Sequence, residues 1–215
     1  WGMHNTGQSG GVEDADLDGP EAWDVETGNG EITVGIIDTG IDYNHEDLQG
    51  NIWTNSGEVP NNGIDDDDNG YVDDYYGYDF ANYDSDPWDD NGHGTHCAGV
   101  VTAAGDNGIG VAGVNWNAKV AAIKFLNSGG GGTTEGAIEA VLYANLLDIH
   151  MTSNSWGGGP FSEGLKDAIE FGEKLFIAAA GNNMNNNDAN PFYPATYDSE
   201  NLISVAAIDK FDQLV

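Results

Sequence analysis

The stretch Ile32-Thr33-Val34-Gly35-Ile36-Ile37-Asp38-Thr39-Gly40 decides how the chain reads. Its first six residues are apolar or β-branched almost without interruption, the pattern of a strand buried on both faces of a parallel sheet. The run stops at an acid, and the carboxyl end of such a strand is where open α/β sheets place their sites. Asp38 therefore reads either as a site acid or as a turn residue capping the next segment. Further along, residues 120–126, 149–156, 175–180 and 202–208 predict strands, with helices over 133–147 and 162–174 between them. Such alternation implies an α/β fold: a doubly wound, mostly parallel sheet with right-handed crossovers and helices on both faces.

A second focus is Asn91-Gly92-His93-Gly94-Thr95-His96-Cys97-Ala98-Gly99. From Cys97 to Ala104 the chain is uncharged and predicts a buried helix. His93 stands at the mouth of that helix between two glycines that leave room around its imidazole. It reads as a general base or, more plainly, as a histidine closing a helix. Residues 1–30 are polar and glycine-rich, with a short helical signal at Pro20, and read as an arm lying over a domain that spans 31–215. Residues 51–90 hold no helix or strand of length.

Composition narrows the function classes. The 215 residues include 37 acids and five lysines but no arginine, for a formal charge of −32. No lysine precedes Lys119. Self-repulsion on this scale calls for counterions, either bound divalent metal or abundant salt. A nucleic-acid partner is excluded, because nothing here neutralises phosphates. Cys97 is the single cysteine and forms no internal disulfide. No membrane-length apolar run and no signal peptide is present, and a start at Trp1 predicts a piece excised from a longer precursor. The abrupt stop after a strand-like run predicts a sheet that is incomplete at its C-terminal end.

The acids are densest in Asp65-Asp66-Asp67-Asp68-Asn69-Gly70-Tyr71-Val72-Asp73-Asp74. Oxygen side chains at alternate positions and a glycine at the sixth follow the opening of a calcium loop, although Tyr76 stands where a closing glutamate belongs. The candidate ligands are Asp65, Asp67, Asn69, Tyr71 and Asp74. The plainer reading is a solvated acidic surface. His93-x-x-His96-Cys97 could suggest zinc, but no further ligand cluster accompanies it.

Asp38-Thr39-Gly40, His93-Gly94-Thr95-His96, Ser155-Trp156-Gly157-Gly158 and Ala179-Ala180-Gly181-Asn182 occur in the order that resembles the subtilisin-like serine proteases. The resemblance runs from about Glu31 to the end of the chain. It implies an Asp38–His93 pair with Asn182 as an oxyanion-hole donor. It also implies that Gly129, Gly130 and Gly131, and Ser155, Trp156 and Gly157, form edge strands that pair with an extended peptide or protein substrate. By the same resemblance Asp47, Asn107, Ile109 and Val111 hold a strong calcium ion, with Asp16 of the arm, or next Gln8, completing it. The expected setting is extracellular, as a secreted protein without nucleic-acid or membrane partners, and a propeptide and a C-terminal remainder are expected companions.

The family's Gly-Thr-Ser-Met-Ala-like nucleophile motif is missing. After Asn182 the only serines are Ser199 and Ser204, neither set among glycines. A histidine with no hydroxyl to activate forms no acyl-enzyme, so the chain is expected to be inactive alone. Two functions remain open at this point: a calcium-dependent secreted serine endopeptidase represented without its serine, or a non-catalytic, calcium-stabilised peptide-binding or scaffold protein.

Overall fold

The computed structural model describes residues 1–172 and 174–215. A six-stranded sheet forms its centre, in the order β2-β3-β1-β4-β5-β6, with each neighbouring pair parallel. The strands are β1 (Thr33–Asp38), β2 (Gly77–Asp79), β3 (Lys119–Lys124), β4 (Met151–Asn154), β5 (Leu175–Ala179) and β6 (Leu202–Val205). The helices are α1 (Gly19–Trp23), α2 (His93–Thr102), α3 (Thr134–Leu146) and α4 (Glu163–Phe171). This is the expected doubly wound α/β arrangement.

Alternate residues of the central strands feed two separate cores, as a period of two requires. Val34 and Ile36 of β1 and Val120 and Ala122 of β3 cluster with Ala98 of α2, Ile41 and Leu48. Ile37, Ala121 and Ile123 point the other way, into a larger cluster with Ala140, Tyr143 and Ala144 of α3 and Leu165 and Ile169 of α4. Ile36, Ile37, Val120 and Ile123 are wholly shielded from solvent. Each such side chain contributes roughly 1.5–3 kcal/mol. Both long helices on the second face begin at hydroxyl caps: Thr133 Oγ1 accepts the Gly136 amide at 3.0 Å and Ser162 Oγ accepts the Leu165 amide at 3.3 Å.

Strand register positions the site. Asp38 lies opposite Lys124, Ile36 opposite Ser153, and Asn154 opposite Ala178, so four strands finish along one edge of the sheet. Some elements are shorter than their sequence pattern. The strand expected over 149–156 leaves the ladder at Asn154, because Ser155 to Gly157 turn into the wall of a cleft. The strand expected over 202–208 stops at Val205, and the helix expected over 162–174 stops at Phe171. Three-residue β2 lies inside the stretch read as having no strand of length; so short a segment carries no periodicity to read.

The first thirty residues are tied to the rest of the molecule at several places, among them the Trp116 amide donating to the Thr27 carbonyl at 2.9 Å and Asn117 Nδ2 donating to the Gly28 carbonyl at 2.8 Å. Trp23 donates its indole N–H to the Val114 carbonyl at 2.9 Å, with its ring centred 5.1 Å from that of Trp116. The Val12 amide donates to the Lys210 carbonyl at 2.8 Å.

Candidate active site

Asp38 ends β1 with its side chain 1% exposed, and its Oδ1 lies 2.7 Å from Nδ1 of His93, whose side chain is 49% exposed. An aspartate on Nδ1 holds the proton there and leaves Nε2 free to act as a base toward the open side. The Thr39 amide donates to the same Oδ1 at 2.7 Å. The close approach of α2 to β1 depends on Gly94: a Cβ there would lie 2.1 Å from the Gly40 carbonyl oxygen and 3.2 Å from Cβ of Asp38. Cys97, one turn along α2, brings its Sγ to 3.9 Å from His93 Nδ1. Burial pushes that thiol up, which keeps it in the poorly nucleophilic protonated form.

The start of α2 is held by a residue that sequence reasoning passed over. Asp89, nearly buried, accepts from Thr39 Oγ1 at 2.8 Å, the Asn91 amide at 3.0 Å and the Gly92 amide at 2.8 Å on Oδ1. Its Oδ2 accepts from the Thr95 amide at 2.9 Å and the Thr95 hydroxyl at 2.6 Å. Burial pushes its carboxyl up, but the Gly92 amide, the Thr95 hydroxyl and the other donors outweigh that and hold it below the usual carboxylate range. Thr39 Oγ1 in turn accepts the Gly94 amide at 2.8 Å, so one carboxylate locks the turn after β1 to the first turn of α2. The available signal was an acid a few residues ahead of a helix start that has only glycine at its cap. Behind this layer Lys124, 1% exposed, donates to the Thr39 carbonyl at 2.6 Å and pairs with Asp90 at 2.6 Å.

His93 opens into a cleft of about 470 Å³. Gly130, Gly131, Ser155, Trp156, Gly157 and Tyr193 line its walls. Of the glycines expected on one wall, Gly129 does not line the cleft. The segment is a turn and not an extended edge, closed by the Asn127 amide on the Gly131 carbonyl at 2.9 Å and the Gly130 amide on the Asn127 carbonyl at 2.8 Å. Asn182 is exposed just beyond the end of β5 and is not among the lining residues. Its neighbour Gly181 packs near Phe192, which also covers Gly157, so it belongs to the same end of the sheet. Ser199 donates to Glu170 at 3.0 Å and Ser204 lies within β6; neither lines the cleft.

Two acidic loops carry the expected metal ligands. In the first, buried Asp47 accepts from Asn107 Nδ2 at 2.9 Å and from the Val111 amide at 2.8 Å, while the Ile109 amide donates to Asn107 Oδ1 at 2.9 Å. A Cβ on Gly110 would lie 2.2 Å from Asp47 Oδ2, so the loop closes tightly over that carboxylate. Asp16 accepts instead from the amides of Asn5 and Asp18, and those bonds hold its carboxyl down. Gln8 bonds to Thr6 and the His4 carbonyl. Among the described residues neither makes a hydrogen bond to the Asp47 loop.

In the second loop Asp65 accepts the Asn69 and Gly70 amides, and Asp67 accepts the Asn69 amide and Asn55 Nδ2. Asp74 is wholly buried and anchors the loop to the core: Asn55 donates to its Oδ1 at 2.8 Å, and Asn69 at 3.0 Å and Tyr143 of α3 at 2.6 Å donate to its Oδ2. Burial pushes the Asp74 carboxyl up against the pull of those donors. The Tyr71 ring stacks edge-on to Tyr78 and Tyr143. Sequence reasoning missed Glu58, which stands beside Asp65 and Asp67.

Comparison with known proteins bears on this geometry. Residues 29–214 match the profile of the subtilase family. The chain is 34% identical over 196 residues to a thermophilic serine proteinase of Bacillus sp. (strain AK1), covering 90% of this chain and 42% of that protein. It is 34% identical over 199 residues to thermitase of Thermoactinomyces vulgaris, covering 91% and 61%. It is 38% identical over 151 residues to subtilisin-like protease 1 of Plasmodium berghei (strain Anka), covering 68% and 25%. The chain thus spans less than two thirds of each of these relatives.

Proposed function

The chain belongs to the subtilase family, and on that premise we propose that it is part of the catalytic domain of a calcium-dependent, secreted serine endopeptidase of subtilisin type. The observation that carries this reading is the 2.7 Å contact between Asp38 Oδ1 and His93 Nδ1 at the mouth of a glycine-walled cleft. In this reading His93 takes the proton of a serine hydroxyl through Nε2, and Asp38 fixes the tautomer and stabilises the imidazolium. A peptide or protein substrate lies between Gly130 and Gly131 on one wall and Ser155, Trp156 and Gly157 on the other, where the glycines let backbone meet backbone. Asn182 donates to the oxyanion.

No serine after Asn182 is set in the family's glycine-flanked motif, so in this reading the 215-residue chain alone does not turn over peptides. Calcium has a stabilising part. Asp47, Asn107, Ile109 and Val111, joined by Asp16, hold one ion, and Asp65, Asp67, Asn69, Tyr71 and Asp74 a second. Such oxygen-rich loops suit the calcium concentrations outside cells. A propeptide and the segment bearing the serine are the remaining partners.

Labelling with a fluorophosphonate probe tests the central point. The 215-residue chain stays unlabelled, while the parent protein is labelled on a serine downstream of Val215. A labelled serine within this chain, or a parent without such a serine, overturns the reading.

A further inference from the structure

Glu58 is 5% exposed, and its two carboxylate oxygens have different surroundings. Oε1 accepts the Asp66 amide at 2.8 Å, whereas Oε2 is buried and has no hydrogen-bond partner among the described residues. Leaving a buried carboxylate oxygen unmatched is costly, and a folded protein retains one only when something else satisfies it. Oxygens of Glu58, Asp65 and Asp67 lie within 4.8 Å of one another, close enough for one ion to touch all three. Gly57 is compressed against the same group: a Cβ there would lie 2.8 Å from Asp67 Oδ2.

Among the described residues no side-chain cation relieves this concentration of charge. Lys119 donates to the Gly50 carbonyl, Lys124 to Asp90 and two carbonyls, and Lys166 to Glu170. Lys174 donates to the carbonyls of Leu147 and Ile149, and Lys210 to that of Ser9. Three carboxylates at this spacing, one of them withdrawn from water, repel one another unless a cation stands between them.

We propose that Glu58 is a ligand of the cation held by the acidic loop, joining Asp65 and Asp67 from a position seven residues upstream. This rests on the calcium reading of the 65–74 loop and adds to it the carboxylate that the loop lacks at its twelfth position, where Tyr76 stands. A hard, oxygen-seeking divalent ion of calcium's size suits an all-oxygen set with carboxylates from two segments. The ion would tie the 55–59 segment to the loop.

Calcium titrated calorimetrically into the metal-free 215-residue chain and its E58Q, D67N and D47N variants tests this, with each protein also melted in calcium and in chelator. The E58Q change keeps an acceptor for the Asp66 amide and the side-chain volume, so a purely structural role predicts little change. The proposal expects E58Q and D67N each to weaken the loop site about tenfold or more, with D47N leaving that site intact. It also expects E58Q to raise the thermal midpoint in chelator while shrinking the gain on adding calcium. Unaltered loop affinity in E58Q with loss in D67N overturns the role of Glu58 and leaves the loop reading standing. Unaltered affinity in both variants overturns the loop reading and the role of Glu58 together.

Discussion

Replacing Asp89 by asparagine isolates the element that sets the geometry of the Asp38–His93 pair. The wild-type carboxylate accepts five hydrogen bonds and stands at the amino end of α2. An amide retains one acceptor oxygen, and its NH₂ must then face donors: the Thr95 amide and hydroxyl in one orientation, or Thr39, Asn91 and Gly92 in the other. Bonds to a charged acceptor are worth about 1.5–3 kcal/mol each, and charge at a helix amino end about 0.3–1 kcal/mol. After relaxation, loss of the two bonds to Thr95 gives a cost of about 3 kcal/mol at pH 7. For a domain of this size that corresponds to a fall in thermal midpoint of about 6–12 °C. The pH dependence has a fixed sign. The folded Asp89 pKa is depressed, so its contribution is fully present above the unfolded value of 3.8 and is lost as pH falls through the lower folded value. Urea unfolding in calcium, followed by circular dichroism, should therefore show a constant gap between wild type and D89N from about pH 7 to 5. The gap should narrow only below about pH 4. A gap under about 0.5 kcal/mol at pH 7, or one that persists undiminished into the acid range, refutes the view that this carboxylate fastens the helix to the strand.

Other perturbations give equally definite outcomes. Gly94→Ala puts a methyl group 2.1 Å from the Gly40 carbonyl, and forcing α2 away should cost about 3 kcal/mol or more, read as a lower urea midpoint. Chelation should lower the thermal midpoint of the wild type. At free calcium about a hundredfold above Kd each site contributes about 2.7 kcal/mol, so titration calorimetry and melting must agree. Tyr143→Phe removes the hydroxyl that bonds buried Asp74 and should destabilise by about 1–3 kcal/mol, with the loss reported by chemical denaturation.

The strand Thr33–Asp38 and the helix His93–Thr102 were legible because each carries its own signal: an unbroken apolar run for one, and an uncharged stretch opened by glycines for the other. Asp38 and His93 followed from where those elements end. Less legible were residues whose role depends on folding distant segments together. Glu58 looks like any surface glutamate until burial withdraws it from water and the 65–67 acids arrive beside it. Asp89 is one acid among many in an acidic stretch, and only the turn that folds five donors around it sets it apart. The family resemblance implies an extended edge for the glycines at 129–131, yet the Asn127 amide curls them into a turn, a local hydrogen bond that no periodicity announces.

The lysines of this protein serve chiefly as staples for carbonyl oxygens, and only Lys124 and Lys166 reach a carboxylate among the described residues. The molecule therefore recruits its neutralising charge from the surrounding electrolyte. Dialysis against pure water should act on it as a mild denaturant, and it should leave an anion exchanger late. Amine acylation would loosen it by unpinning loops, with little further effect on an overall charge that is already extreme.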